Sequence, residues 1–507
     1  MKHTTCHLPL KKDPMLRSAP LATIGLLLTG LCLPASLNGA GASPRGPVAS
    51  TWHEAFARMT PWRPTPATPS LHLQNFPNAA ARRLANVADP ATMNGKVMTG
   101  YQGWFATPGD GSGMGWVHYG GRDFGPGKLG FEAWPDMSEL PPAERCPTPF
   151  RNADGSVAEL FSSYNPATVD RHFYWMRRYG IDGAFLQRFV AYLRNPGIHD
   201  FRTAVTDAVR DAANRHGRTW AMMYDLSGWR ADEKDFQMVV DDWKRLVDRM
   251  AITRDPAYQR HNGKPLVALW GVGFPGRAYN HHLPRLVDFL KNDPVYGGNA
   301  IMLGTTYGWR DGTRDAKPDA ALLDLCARAD IVSPWSVGRY GSLPDFQKNL
   351  SRRQQADLAW CSEKNVDYLP VIFPGFSWQN LMRRRGKDPG REIPRGDGSF
   401  FWTQGRDLVA SGARMIYVAM FDEVDEGTAI FKISPAPPPS GDHWITNSPN
   451  LPDHMLWLAG QLRTLLASRI QNPDTPLPAV MPARPLLRAE HDGLQSHTKP
   501  QREEGKR

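Results

Sequence analysis

The stretch Asp422-Glu423-Val424-Asp425-Glu426-Gly427-Thr428 sets four carboxylates within five positions, directly after the apolar run Met415–Phe421. An unbroken apolar run of that length reads as a strand buried on both faces, and Gly427 can turn the chain behind it. Carboxylates crowded at a buried strand end repel one another and lose hydration, a cost that an acid–base site puts to use. Two glutamates three apart can converge on one cleft while sitting in unequal environments, as general acid–base chemistry on a sugar requires. Glu423 and Glu426 are thus the candidate catalytic pair, with Asp422 and Asp425 beside them. The competing reading is a solvated acidic turn.

The elements that carry the acids decide between the two. From residue 91 to 470, apolar strand segments and helical segments alternate eight times. The strands read as Lys96–Phe105, Ile181–Val190, Trp220–Leu226, Pro265–Phe274, Ala300–Trp309, Ile331–Val337, Tyr368–Phe373 and Arg414–Phe421. Among the helices are Pro166–Tyr179, with Asn165 as cap and Gly180 as stop, Asp200–His216 closed by Gly217, Glu233–Ile252 and Leu343–Lys364; Met455–Ser468 closes the series. This alternation predicts an α/β chain folded as a (β/α)8 TIM barrel. An open doubly wound sheet is disfavoured, because no GxGxxG or phosphate loop follows the first strand. In a barrel the acids stand at the carboxyl end of the eighth strand, the end where chemistry resides.

The other strand ends are rich in aromatic residues. Tyr101 and Trp104 come from the first, Gln187 and Arg188 from the second, and Tyr224 and Asp225 from the third. Trp270 follows from the fourth, Tyr307 and Trp309 from the fifth, Trp335 from the sixth, and Phe376 and Trp378 from the seventh. One Trp at such a place is most often core. A set of them around one mouth suits the apolar faces of pyranose rings, with carboxylates, amides and Arg for the hydroxyls. Tyr101, Trp104, Arg188, Asp225, Trp270, Tyr307, Trp309, Trp335, Trp378, Asp422 and Asp425 are accordingly the candidate substrate-binding residues. Arg188 reads equally as a sugar ligand or as a structural partner for Asp225. His118, His172, His199, His281 and His282 lack metal-ligand spacing and read as surface or core histidines; neither a metal nor another cofactor is expected.

Composition narrows the setting. Apolar residues at 41% and charged residues at 22% are ordinary for a globular chain, whereas 17 Trp, 14 Tyr and 21 Phe are a rich supply for such a mouth. The net charge of +10, of which residues 1–42 carry +3, favours an anionic glycan or envelope surface. No Lys/Arg block with interleaved aromatics points to nucleic acid. Met15-Leu16-Arg17, the apolar Leu21–Leu33 and the small residues Ala40-Gly41-Ala42 predict a signal peptide over 1–42, its start at Met1 or Met15, and hence a secreted or periplasmic protein. The apolar run is short for a bilayer span, so no stable membrane insertion is expected, and Leu31 disfavours Cys32 as a lipid anchor. Cys146, Cys326 and Cys361 allow at most one disulfide after cleavage. Residues 43–90, rich in Pro, Ala and Ser with short helices around Trp52–Met59 and Ala79–Val87, read as an N-terminal extension, and the Pro-rich 471–507 as a disordered tail.

The acidic stretch resembles the segment Phe-Asn-Glu-Trp-His-Glu-Gly-Thr at the end of the last strand in family 99 glycoside hydrolases, the endo-α-mannosidases. Here it stands as Phe421-Asp422-Glu423-Val424-Asp425-Glu426-Gly427-Thr428. Asn262-Gly263-Lys264-Pro265 before the fourth strand and Phe373-Pro374-Gly375-Phe376 after the seventh extend the likeness. Over roughly 91–470 the chain is similar to the wider family 71/99-like group of secreted glycoside hydrolases, whose relatives are often labelled xylosidase/arabinosidase-like. Asp422, Val424 and Asp425 depart from Asn, Trp and His, so both Glu positions persist while the sugar-contacting neighbours change.

The resemblance implies an oligo- or polysaccharide substrate and hydrolysis with net retention. In that family the first Glu is base to the sugar's own 2-hydroxyl, which attacks the anomeric carbon and forms a 1,2-anhydro intermediate. The second protonates the leaving oxygen and then activates water. Carried across, these are Glu423 and Glu426. The conventional alternative is a carboxylate nucleophile, with the two carboxyl groups about 5 Å apart. A non-catalytic glycan-binding protein on the same barrel is a second reading, disfavoured by the matched Glu pair. An esterase is the third, with no G-x-S-x-G elbow to support it.

Overall fold

The computed structural model describes residues 86–230, 232–447 and 449–484. The expected signal peptide over 1–42, the expected N-terminal extension up to residue 85 and the tail from residue 485 lie outside the described residues. The chain divides into two units, one ending at Leu477 and one from Pro478, whose described residues hold no helix or strand.

The first unit is built on parallel strands that follow one another around a closed circuit. β1 (Val97–Tyr101), β2 (Gly183–Phe189), β3 (Thr219–Asp225), β4 (Lys264–Val272), β5 (Ala300–Thr305) and β6 (Ile331–Pro334) pair in chain order. The seventh strand comes in two pieces, β7a (Asp367–Tyr368) against β6 and β7b (Val371–Ile372) against β8 (Ile416–Val418), and β8 returns to β1. Pro370 between the pieces has no N–H for the ladder, yet its carbonyl accepts from Tyr417 N at 3.0 Å. The circuit is the (β/α)8 barrel that the alternation predicts. Strand residues are buried on both faces apart from the entries of β4 and β7a, which is why the sequence shows apolar runs rather than alternation.

The helices between the strands start and stop where local chemistry dictates. α1 (Pro166–Tyr179) opens on Asn165, whose side chain accepts from Ala167 N, and ends at Gly180 in the left-handed region. α2 (Pro196–His216) opens on Asn195 and ends at Gly217, and α3 (Glu233–Met250) opens on Asp232. α4 (Leu283–Asn292) and α5 (Ala320–Ala327) follow. The single helix expected over 343–364 is three pieces, α6 (Leu343–Asn349), a π turn and α7 (Gln355–Glu363). α8 (Gln379–Arg384), α9 (Ser399–Ala410) and α10 (His454–Gln471) complete the set.

Three departures matter for the site. β1 stops at Tyr101 rather than Phe105, since a side-chain carboxylate from after β8, not a strand, takes the next N–H groups. The insertion behind β1 holds an antiparallel hairpin, Cys146–Arg151 with Val157–Leu160, that Pro147 and Pro149 conceal in the sequence. β8 spans three residues; beyond it Ala419 N still donates to Ile372 O at 2.9 Å and Phe421 N to Gly100 O at 2.8 Å, and the Ala419–Met420 peptide is cis. Cys146, Cys326 and Cys361 are all unpaired thiols. Among the described residues no helix is long and apolar enough to cross a membrane, and no His/Cys/Asp/Glu cluster is arranged to hold a metal ion.

Candidate active site

The acids after β8 are carried on a turn that folds back upon itself. Met420 N donates to Thr428 O at 3.2 Å, Phe431 N to Phe421 O at 2.9 Å, and the Glu423 carbonyl accepts from Ala429 N at 3.0 Å. Gly427 sits at φ +64°, and a Cβ there would lie 2.6 Å from Ile445 Cδ1, so this turn requires glycine.

Neighbouring elements fix the turn from both sides. Asp422 accepts from Gln102 N at 2.7 Å and Gly103 N at 2.8 Å, fastening the turn to the end of β1. Arg202 of α2, itself buried, donates to the carbonyls of Gln102 and Gly103 at 2.6 Å each and to that of Gln187, so the ends of β1 and β2 are held as well. Opposite them, the buried Glu132 donates its N–H to Val424 O at 2.8 Å. Its carboxylate accepts from Asn380 N at 2.8 Å at the start of α8 and from Ser377 Oγ at 3.1 Å. Ser377 N in turn donates to the Glu426 carbonyl at 2.9 Å.

Glu423 and Glu426 face one cavity at the carboxyl end of the barrel. Side chains along each strand alternate between the barrel interior and the helices, so Gln187 and Phe189 of β2, Asp225 of β3 and Trp270 of β4 turn inward to the cavity. Trp335 and Arg339, after β6, complete that wall. Trp270 and Trp335 meet edge to face, centroids 5.3 Å apart at 81°, as an aromatic corner. Glu423 accepts from Gln102 Nε2 at 3.0 Å and lies 3.4 Å from Thr428 Oγ1. Asp225 accepts from Ser227 N at 2.7 Å.

Burial governs the protonation of these groups. It pushes Glu426 up to about 7, reinforced by the Asp425 carboxylate and moderated by the Trp378 indole, Arg385 and Arg339. It pushes Glu423 well above the usual carboxylate range, with Glu426, Asp425 and Asp422 adding repulsion and Gln102 relieving part of it. Two acids in that relation do not ionise together easily. Burial likewise raises Asp225 to about 6 and Asp422 and Glu132 to about 7, each against N–H donors that favour the charged form.

The candidate residues separate by the face of the strand they occupy. Glu423, Glu426, Asp225, Trp270 and Trp335 line the cavity, and Trp378 lies beside Glu426. Asp422 supports the turn rather than the cavity. Asp425 pairs with His118 Nδ1 at 2.8 Å, and His118 stacks on Trp104 at 3.7 Å. Trp104 thus borders a smaller apolar pocket next to the site, with Tyr192 and Phe201.

Four expected positions are corrected. Arg188 points outward and forms a buried pair with Asp242 of α3 at 2.6 Å, so its partner is neither a sugar nor Asp225. Tyr101 also points outward, its hydroxyl 2.9 Å from His172 Nδ1. Tyr307 is enclosed near Arg353 and Tyr340, and Trp309 packs on Trp360 of α7. One-residue shifts in strand register are invisible in a continuous apolar run, and this is why these four read as mouth residues. Gln102, Arg202, Arg339 and Glu132 escaped notice, and His118 read only as a surface or core histidine, because long-range packing, not local pattern, brings them to the site.

The fold is a (β/α)8 barrel with paired carboxylates at the end of its last strand. Its structural neighbours include the GH99 endo-alpha-mannosidase of Bacteroides thetaiotaomicron in complex with BIS-TRIS-Propane, at a TM-score of 0.54 and 14% identity, covering 75% of this chain and 100% of that one. A second structure of the Bacteroides thetaiotaomicron enzyme matches at 0.53 and 14% identity, over 74% and 99%. The fold is therefore the one that the sequence resemblance implies. No protein-family model matches the chain, and no curated protein matches it in sequence.

Proposed function

We propose that this chain is an exported retaining glycoside hydrolase that cleaves 1,2-trans glycosidic bonds in an oligo- or polysaccharide, with Glu423 and Glu426 as its catalytic pair. The observation that carries the reading is the convergence of these two buried carboxylates on one aromatic-walled cavity, together with the elevation of Glu426 to about 7. A carboxyl group held near neutrality can donate a proton to a leaving oxygen and take one from water afterwards. The endo-α-mannosidase activity in the structural neighbours' names supports the class of reaction.

Glu426 delivers its proton as the bond from the anomeric carbon to the leaving oxygen breaks. The productive form is the one in which the proton stands on Glu426 and Glu423 is ionised; Glu423, held by Gln102 and Thr428, then takes the proton of the 2-hydroxyl, whose oxygen closes on the anomeric carbon from the opposite face. Glu426 then deprotonates water, whose oxygen attacks the anomeric carbon; the bond from that carbon to the 2-oxygen breaks, and the 2-oxygen recovers its proton from Glu423, which restores both carboxyl groups and the first configuration. That geometry demands a 2-hydroxyl trans to the leaving group, which α-mannosides, β-xylosides and α-L-arabinosides possess. Glu423→Gln and Glu426→Gln are each expected to lower turnover by at least about a hundredfold with folding retained; near-wild-type turnover in either would overturn the assignment. A 2-deoxy substrate cleaved efficiently, or a trapped glycosyl–Glu423 adduct, would recast Glu423 as a nucleophile. Export rests on the basic, apolar and small-residue pattern of residues 15–42, and N-terminal sequencing of the mature protein is expected to read from near Ser43.

A further inference from the structure

We propose that the cavity selects a carboxylate-bearing sugar, a uronic acid residue of a glycan, through the guanidinium of Arg339 and the indole N–H of Trp270. This rests on the glycosidase reading above and names the substrate class of the same site. Arg339 and Trp270 both line the cavity, and each is 8% exposed. Arg339 Nε is held by Asp315 at 2.8 Å. Asp315 is itself fixed by the N–H groups of Tyr307 at 3.1 Å and Gly308 at 2.9 Å. The guanidinium plane is thereby anchored, while Arg339 Nη1 has no hydrogen-bond partner among the described residues. Trp270 Nε1 has none either. Buried donors left without acceptors are costly, and in a cavity they mark where a ligand supplies the missing atoms.

The distribution of polar groups around the barrel gives the chemistry of that ligand. Gln102, Gln187, Asp225 and Glu423 stand on one arc, from the turn after β8 through β1 and β2 to β3, and offer acceptors to sugar hydroxyls. The arc from β4 to the loop after β6 carries two donors without a hydrogen-bond partner among the described residues, one of them on the guanidinium that Asp315 holds from its other side. A hydroxyl both gives and accepts a proton and is served by the first arc. A group that only accepts suits the second, and a planar carboxylate beside a fixed guanidinium is the strongest such match. Glu426 lies within the field of Arg339, so a bound carboxylate that offsets that charge leaves the general acid more firmly protonated. The net charge of +7 that residues 43–507 carry draws in the same class of ligand.

Calorimetric titration of the Glu426→Gln protein with methyl glycosides that differ only at C6 tests this, using the β-glucuronide against the β-glucoside and the α-mannuronide against the α-mannoside. The uronide is expected to bind at least about tenfold more tightly in one of the pairs, the scale of a hydrogen bond to a charged group. That preference is expected to vanish when Arg339→Met is added and to shrink several-fold with Trp270→Phe, which keeps the ring and removes the donor. Should Arg339→Met fail to fold, Trp270→Phe carries the test alone. Equal binding of the neutral partner, binding of neither sugar, or a preference that survives both substitutions overturns the inference. Turnover of a neutral glycan by the wild-type protein, with no preference for uronides, would remove this inference and leave the hydrolase reading standing.

Discussion

Replacing Glu426 by Gln is expected to inactivate the protein and, above neutral pH, to stabilise it. Glu426 is 8% exposed and its folded pKa is about 7, against an ordinary 4.5. The native state therefore holds this proton more tightly than the unfolded chain does. The associated stability is complete below pH 4.5 and is lost as pH rises through 7. The interval is about 2.5 pH units, or roughly 3 kcal/mol at 1.36 kcal/mol per unit. Glutamine keeps the shape and has no proton to lose, so it avoids the desolvation and the repulsion from Asp425 that cause the shift. Urea unfolding at pH 5 is expected to give similar stabilities for the two proteins, and at pH 8 the variant is expected to gain up to about 3 kcal/mol. The same group predicts a fall in kcat/KM as pH rises through about 7. A variant destabilised equally at both pH values would refute the claim that the carboxylate is held in an unfavourable place for its charged form.

Asp425→Asn removes the charge that reinforces the Glu426 shift; the alkaline limb of the pH–rate profile is expected to move down by about one unit, and an unmoved limb would contradict that cause. Arg188→Met leaves Asp242 buried without its cation, although burial by itself favours the neutral acid and Arg188, His199 and Tyr224 now hold it well below the carboxylate range. A loss of about 3–5 kcal/mol is expected in chemical denaturation, with KM little changed; a raised KM at unchanged stability would return Arg188 to the site. Gly427→Ala meets both a positive φ and Ile445. It is expected to cost about 1–3 kcal/mol and to lower turnover by displacing the Glu pair, and an unaltered melting temperature would show that the turn is looser than drawn.

The barrel and the catalytic candidates were legible in the chain because both leave local signals. A parallel strand buried on two faces is an apolar run, a helix start is an Asn or Asp before it, and four acids behind Met415–Phe421 stand out against either. Which side chains share the cavity was not legible. Along Gly183–Phe189 the outward Arg188 and the inward Gln187 are neighbours in equally apolar surroundings, and only the register with β3 and the packing of α3 sends one to Asp242 and the other to the cavity. The same holds for His118, 307 residues from Asp425 in sequence and 2.8 Å from it in space, and for Glu132, Arg202 and Arg339. Local sequence sets periodicity, capping and the chemical types present. The closure of the barrel decides which of those types face one another, since that depends on strand register and on contacts between residues hundreds of positions apart.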